Sequence, residues 1–384
     1  TIYAAAVNNV GRTGEVSDPY VIMIDKTAPV IKGVEEGKTY DKATPIIEDA
    51  TDTEVELTKD GEKVPYTEGD EITEDGEYTI KATDEFDHST IINFIIDSTP
   101  PTVTFNPNGN TTWAKTQSTI VTVTDERGLD ESSLRYKWTQ SVQVLTEDTF
   151  LPDSKTFKNG DSISIDGVSG NNWYLWVYAK DLQGNMALVK TTSFYLDNGI
   201  PPAPNINASV ENGGKSSTEV TFDISGSSSL SGIAKYQYSL NGGSTWTDVN
   251  LGETVTLDTT GVYTIIARAV NNVGTAGEVT KEAYIITVDK EGPTITFTPS
   301  GNATFAKVQS TSVKVESVVG IASDGLKYLW SQKADGVTTG EFLQSFNNNQ
   351  TITKNTGSGM WYLWVYAVDS AGANKMARSE GFNL

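Results

Sequence analysis

The sequence predicts an all-β chain built as a row of small two-sheet sandwiches. Three observations carry this. Short alternating runs recur with no sustained helical period, a boundary signal returns at domain-sized intervals, and long segments reappear as near-copies.

The alternating runs come first. Thr102-Val103-Thr104-Phe105 and residues 256–264 are typical, and clusters of Gly, Asn and Asp bound them. Period-two alternation between turn residues is the signature of half-buried strands. The chain has 384 residues and no cysteine, so each sandwich must be held by its core alone. An array without disulfides fits a bacterial surface protein better than an animal one.

Charge and hydropathy then exclude several classes. The formal net charge is −22, which repels phosphates and anionic lipid, so nucleic acid is not an expected partner. Apolar runs such as Val21-Ile22-Met23-Ile24 are far shorter than the roughly 20 residues of a membrane span, and none is expected in this segment. Thr1 is not followed by a basic n-region or signal peptide.

Repeats set the organisation. An Asp followed closely by Pro and a strand occurs at Asp25/Pro29, Asp97/Pro100, Asp197/Pro201 and Asp289/Pro293, at spacings of 72, 100 and 92 residues. These are sandwich-sized intervals. Proline stiffens each connector and removes a ladder donor. PTVTFNPNGNTTW at 101–113 returns as PTITFTPSGNATF at 293–305, and WYLWVYAKD at 173–181 as WYLWVYAVD at 361–369. Residues 1–11 match 264–274. Residues 1–25 therefore read as the last two strands of a truncated domain, within a longer polypeptide. The expected domains are then 26–97 (short and acidic), 98–197, 198–289 and 290–384, the last a near-copy of 98–197. Short stiff connectors predict an elongated rod.

Residues 231–246 read SGIAKYQYSLNGGSTW. This resembles the SG…YSLDGG…W signature of bacterial Ig-like repeats in large cell-surface or secreted proteins. The hairpin logic is an aromatic strand, an Asn-Gly turn and a Trp returning to the core. GEYTIKATD at 76–84 and AKDLQGN at 179–185 resemble the usual ending of such repeats, and GVEEGKTY at 33–40 the start of a shorter variety. The resemblance implies tandem immunoglobulin-like sandwiches at an extracellular, bacterial surface. It implies no particular activity, because such domains serve as stalks, binders and enzyme accessories.

Catalysis is not expected. No Cys nucleophile, Gly-x-Ser-x-Gly elbow, phosphate loop or zinc motif occurs. The only histidine, His88, falls in the turn Asp84-Glu85-Phe86-Asp87-His88 and reads as solvated. A Lys–Asn isopeptide bond needs a buried Lys, Asn and acid, and no such triad can be placed.

Two sets of residues remain as candidates. Residues 26–97 hold 20 acids against 7 Lys and Arg. That balance suits a solvated surface, or calcium, which takes six to eight oxygens. The boundary residues Asp97, Asp197 and Asp289 would meet loop acids such as Asp84, Asp87 or Asp181 at the domain joints. In WYLWVYA, alternation sends Trp173, Leu175, Val177 and Ala179 to the core. Tyr174, Trp176 and Tyr178, with Tyr362, Trp364 and Tyr366 in the copy, then face outward. There they would stack on a glycan or anchor a host protein, or lie beneath Arg135 and Lys137 of the next strand.

The expected function is a structural stalk or spacer of a large surface or adhesin protein, whose partners are its neighbouring Ig-like domains. The alternatives are a glycan- or protein-binding module, such as an accessory to a carbohydrate-active enzyme, and a self-assembling surface layer or filament.

Overall fold

The computed structural model describes residues 1–384. By contact the chain divides into two compact units. The first holds residues 1–112, 116–165 and 171–195, and the second 113–115, 166–170 and 196–384.

The first unit opens on a two-stranded hairpin, Ala5–Val7 with Thr13–Val16, whose side chains are exposed and which joins no other sheet. A sandwich follows. Val30–Lys32 and Ile46–Glu48 form its small sheet. Its large sheet runs in the order Lys38–Tyr40, Ser89–Ile96, Gly76–Asp84, Thr53–Lys59, Glu62–Val64. The reason for the strand at Gly76–Asp84 is visible in its sequence. Every second residue, Tyr78, Ile80 and Ala82 among them, is buried, and the intervening ones face out. The hairpin from Thr53–Lys59 to Glu62–Val64 turns through Asp60 and Gly61, both at positive φ (50° and 87°), as a two-residue hairpin turn requires. Ile31, Leu57, Tyr78, Ile80, Phe94 and Ile96 form the core.

A second sandwich pairs a three-stranded sheet (Thr102–Asn106, Thr116–Thr124, Ser162–Asp166) with a larger one. In the larger sheet the long strands Leu129–Thr139 and Gly170–Asp181 lie side by side, and Lys155–Thr156 forms one edge. Val121, Val123, Leu134, Leu175, Val177 and Ala179 fill its core.

Two further sandwiches belong to the second unit. One joins Asn205–Ala208, Val220–Ser225 and Val255–Leu257 to a sheet in which Gly261–Asn271 is central, with Thr247–Val249 at one edge. Its core centres on Val220, Phe222, Ile265, Ala267 and Ile286. The other joins Thr294–Thr298, Gln309–Glu316 and Thr351–Lys354 to a sheet containing Ile321–Ser331 and Met360–Asp369, with Gln344–Ser345 at its edge. Val313, Val315, Leu363, Val365 and Ala367 make its core. The fold is thus all-β, as tandem immunoglobulin-like sandwiches.

One local expectation is corrected. Gly242 and Gly243 turn at positive φ after Asn241, but Trp246 does not return to the core. It stays half-buried under the Arg268 guanidinium, 4.2 Å from its ring centre, and Val249 is the buried residue of that strand. A flat indole beside an arginine gains from covering the cation without full burial.

Candidate functional site: acidic clusters at the sandwich ends

Each sandwich begins after a boundary aspartate. In the first unit two of these aspartates gather further acids. Asp97, Asp125 and Asp181 bring carboxylate oxygens within 4.8 Å of one another, and so do Asp25, Asp49 and Asp84. The arrangement is the same both times. One acid comes from the boundary, one follows an early strand, and one closes the long strand that ends in Ala-x-Asp.

Asp97 ends the first sandwich and faces the second. Its amide donates to Tyr40 O at 2.9 Å in the first. Its carbonyl accepts 2.9 Å from Asn185 Nδ2 in the second. Arg127 reaches back to Glu77 at 3.1 Å across the same boundary. Asp97 is 3% exposed, and its Oδ2 has no hydrogen-bond partner. Burial first, then the Asp125 and Asp181 carboxylates, push its carboxyl above the usual range. A cleft of about 470 Å³ opens beside it, lined among others by Asp60, Asp75, Asp97 and Asp125.

Each acid is anchored through Oδ1, and Asp181 Oδ2 also accepts from Asn185 Nδ2 at 2.6 Å. Thr99 N donates to Asp97 Oδ1, and Arg127 N and Gly128 N to Asp125 Oδ1. Gln183, Gly184 and Asn185 amides converge on Asp181 Oδ1 at 2.6–2.9 Å. The turn after the long strand exists in this shape because Asp181 collects those amides, with Gly184 supplying a positive φ of 97°.

The Asp25 cluster is less enclosed. Asp25 and Asp49 are half-buried, while Asp84 is buried. His88 Nδ1 lies 2.8 Å from Asp84 Oδ2, so the histidine read as solvated is partnered. Burial pushes the Asp84 carboxyl up, but the hydrogen bonds from His88 and Phe86 outweigh it and hold it below its usual value.

The third and fourth sandwiches depart from this pattern. Asp197 is fully buried, yet its Oδ2 accepts from Ser229 Oγ (2.5 Å), Ser231 Oγ (2.6 Å), Ser231 N (2.9 Å) and Asn271 Nδ2 (3.2 Å). Asn271 stands where Asp84 and Asp181 stand in the earlier sandwiches. Burial opposes ionisation of Asp197, but the Ser229 and Ser231 donors prevail and lower its pKa. At Asp289 the carboxyl is 1% exposed with an unpartnered Oδ2. Asp369 closes the long strand, and Ser317 replaces the early-strand acid, 3.5 Å from Asp369 Oδ2.

Of the six acids expected at joints, the structure therefore joins Asp97 with Asp181 and gathers Asp84 with Asp25. Asp197 and Asp289 lie in no three-acid group. Asp87 is also corrected. It sits at φ 67° in the turn after Asp84, exposed and outside both clusters, because the turn needs a residue that tolerates the left-handed region. Asp49 and Asp125 were missed. TVTDERG at 122–128 aligns with the copy at 314–320, where Ser317 stands against Asp125, and nothing in that run marks Asp125 as more than an acid at a strand end.

The aromatic strand keeps its expected parity on one face only. Leu175, Val177 and Ala179 are fully buried in the core, and Arg135 and Lys137 lie across from Tyr178 and Trp176. Trp173 is half-buried. The outward exposure of Trp176 and Tyr178 is corrected: they are 2% and 4% exposed. The short helix Glu147–Phe150 folds over them. Phe150 stacks on Tyr178 with ring centres 5.9 Å apart, and Glu147 accepts from the Tyr178 hydroxyl. Lys190 Nζ lies 4.4 Å from the ring centre of half-buried Tyr174 and 5.3 Å from that of Trp176, so the cation over these rings is Lys190, not Arg135 or Lys137. In the copy the cover is thinner. Tyr362, Trp364 and Tyr366 are half-buried, Trp364 Nε1 donates 3.0 Å to Lys333 O, and Phe342 tilts against Tyr366.

No family model matches the chain. A stretch of 75 residues is 41% identical to an outer cell wall protein of Brevibacillus brevis, covering 19% of this chain and 8% of that protein. The chain thus spans far less than two thirds of that relative. Among solved structures, a Ca2+-stabilised adhesin from an Antarctic bacterium that binds ice aligns over 94% of this chain and 100% of its own, at 11% identity and a TM-score of 0.36. A tetra-tandem repeat from the extending region of a large adhesion protein aligns over 93% and 98%, at 13% identity and 0.34. An I-band fragment of titin aligns over 69% and 99%, at 10% identity and 0.35. Scores at this level carry no functional argument.

Proposed function

We propose that this chain is a non-enzymatic spacer segment of a large extracellular bacterial surface protein. Its function is to hold other parts of that protein at a distance. The observation that carries the reading is how polar residues are used at the sandwich ends within each unit. Asn185, Arg127 and Asp97 tie the first sandwich to the second, and Lys215 Nζ donates 2.6 Å to Val319 O between the third and fourth. Residues that a catalytic or binding module would keep free are spent on joints. A spacer acts through its joints, and calcium is the cofactor such acidic joints call for.

A second reading, a subunit of a self-assembling cell-wall layer, is favoured by the stretch similar to an outer cell wall protein. Small-angle scattering over a concentration series separates the two. A spacer stays a monomer, and a layer subunit grows with concentration. A glycan screen tests the binding module. Retention that disappears in Trp364→Ala with the fold intact would replace the spacer reading.

A further inference from the structure

We propose that Asp97, Asp125 and Asp181 form a calcium site that locks the first sandwich to the second. Its functional meaning rests on the spacer reading, but its test does not.

Three carboxylates with oxygens within 4.8 Å repel one another, and water screens that repulsion poorly at a buried site. The structure supplies no protein cation to offset it. Arg127 is engaged by Glu77 and Lys59 by Glu74, and no ion pair involves Asp97, Asp125 or Asp181. Asp97 is 97% buried and leaves Oδ2 without a donor. A buried carboxylate oxygen with no donor, facing two further carboxylates, has the chemistry of a cation ligand. Each acid is pinned through Oδ1 by backbone amides, so the donor set is fixed before an ion arrives.

The donors are all hard oxygens, which selects calcium or magnesium over zinc or copper. Calcium is favoured. It tolerates irregular sets of six to eight oxygens, whereas magnesium demands near-octahedral geometry and keeps most of its water. The neighbouring cleft gives an entry path and room for water ligands.

The third sandwich is the internal contrast. There Ser229, Ser231 and Asn271 deliver hydrogen-bond donors to the same boundary carboxylate, Asp197, and no cation is needed. The same boundary position therefore exists in a version whose carboxylate lacks a donor, at Asp97, and in a self-satisfied version, at Asp197.

The test is calorimetric titration of the full chain with calcium chloride, for wild type and for Asp125→Asn, Asp181→Asn and Asp49→Asn. Asn keeps the oxygen that accepts the backbone amides, and circular dichroism checks that each variant folds. We expect Asp125→Asn and Asp181→Asn each to lose one calcium per chain, or to weaken it by about tenfold or more. Asp49→Asn should keep that calcium. Wild type taking up no calcium at millimolar concentration would overturn the proposal. So would an unchanged stoichiometry and affinity in Asp125→Asn, or loss of the site in Asp49→Asn alone. A chain that stays monomeric over the concentration series and binds no calcium removes the site and leaves the spacer. Growth with concentration in a chain that binds calcium does the reverse.

Discussion

Asn185 holds Asp97 by its backbone while holding Asp181 by its side chain. The one amide nitrogen donates 2.9 Å to the Asp97 carbonyl and 2.6 Å to Asp181 Oδ2. The turn that ends the long strand of the second sandwich therefore grips the last residue of the first.

Removing that grip should loosen the joint without unfolding either sandwich. Asn185→Ala leaves the Asp97 carbonyl and Asp181 Oδ2 short of a donor, at a cost of about 1–3 kcal/mol. Limited proteolysis should show faster cleavage around residues 97–101 while both cores survive. Unchanged cleavage there would mean that the joint is held elsewhere.

The two aromatic strands should respond differently to the same substitution. Trp176 is 2% exposed beneath Phe150 and its helix, so Trp176→Ala should cost about 3–5 kcal/mol. Trp364 is half-buried and should cost clearly less, about 1–2 kcal/mol by its smaller buried area. Calorimetric melting of the two variants gives the comparison. Equal losses would mean that the cover over the fourth sandwich is as complete as that over the second.

How far the sequence revealed these features depended on whether they were periodic. The parity of WYLWVYA placed Leu175, Val177 and Ala179 correctly because alternation is a local property. The burial of Trp176 was not legible, because its cover, Glu147–Phe150, arrives from a stretch with no periodic pattern and is fixed only by the tertiary fold. Similarly, Asp97 and Asp181 were legible as boundary and turn residues. Asp125 lies inside a run that reads as an ordinary strand end, and only the fold brings it to the other two.

Acid titration should separate Asp97 from Asp197 by sign. Asp197 has a lowered folded pKa. Its contribution is fully present above the unfolded value near about 3.9, and is lost as pH falls through the folded pKa. Asp197→Asn should therefore destabilise at neutral pH, with the difference shrinking in acid. Asp97 without metal has a raised folded pKa, so ionising it costs stability as pH rises from about 3.9 through that pKa. Asp97→Asn in chelator should thus hold stability level or raise it at pH 7. Melting curves across pH for both variants decide this, and a neutral-pH loss at Asp97 equal to that at Asp197 would contradict it.

The larger sheet of every sandwich has at least one very short outer strand: Glu62–Val64, Lys155–Thr156, Thr247–Val249 and Gln344–Ser345. Two or three residues offer a neighbouring molecule too few open backbone groups to zip against. Many copies could then stand shoulder to shoulder at high local density without fusing along those edges into cross-β aggregates.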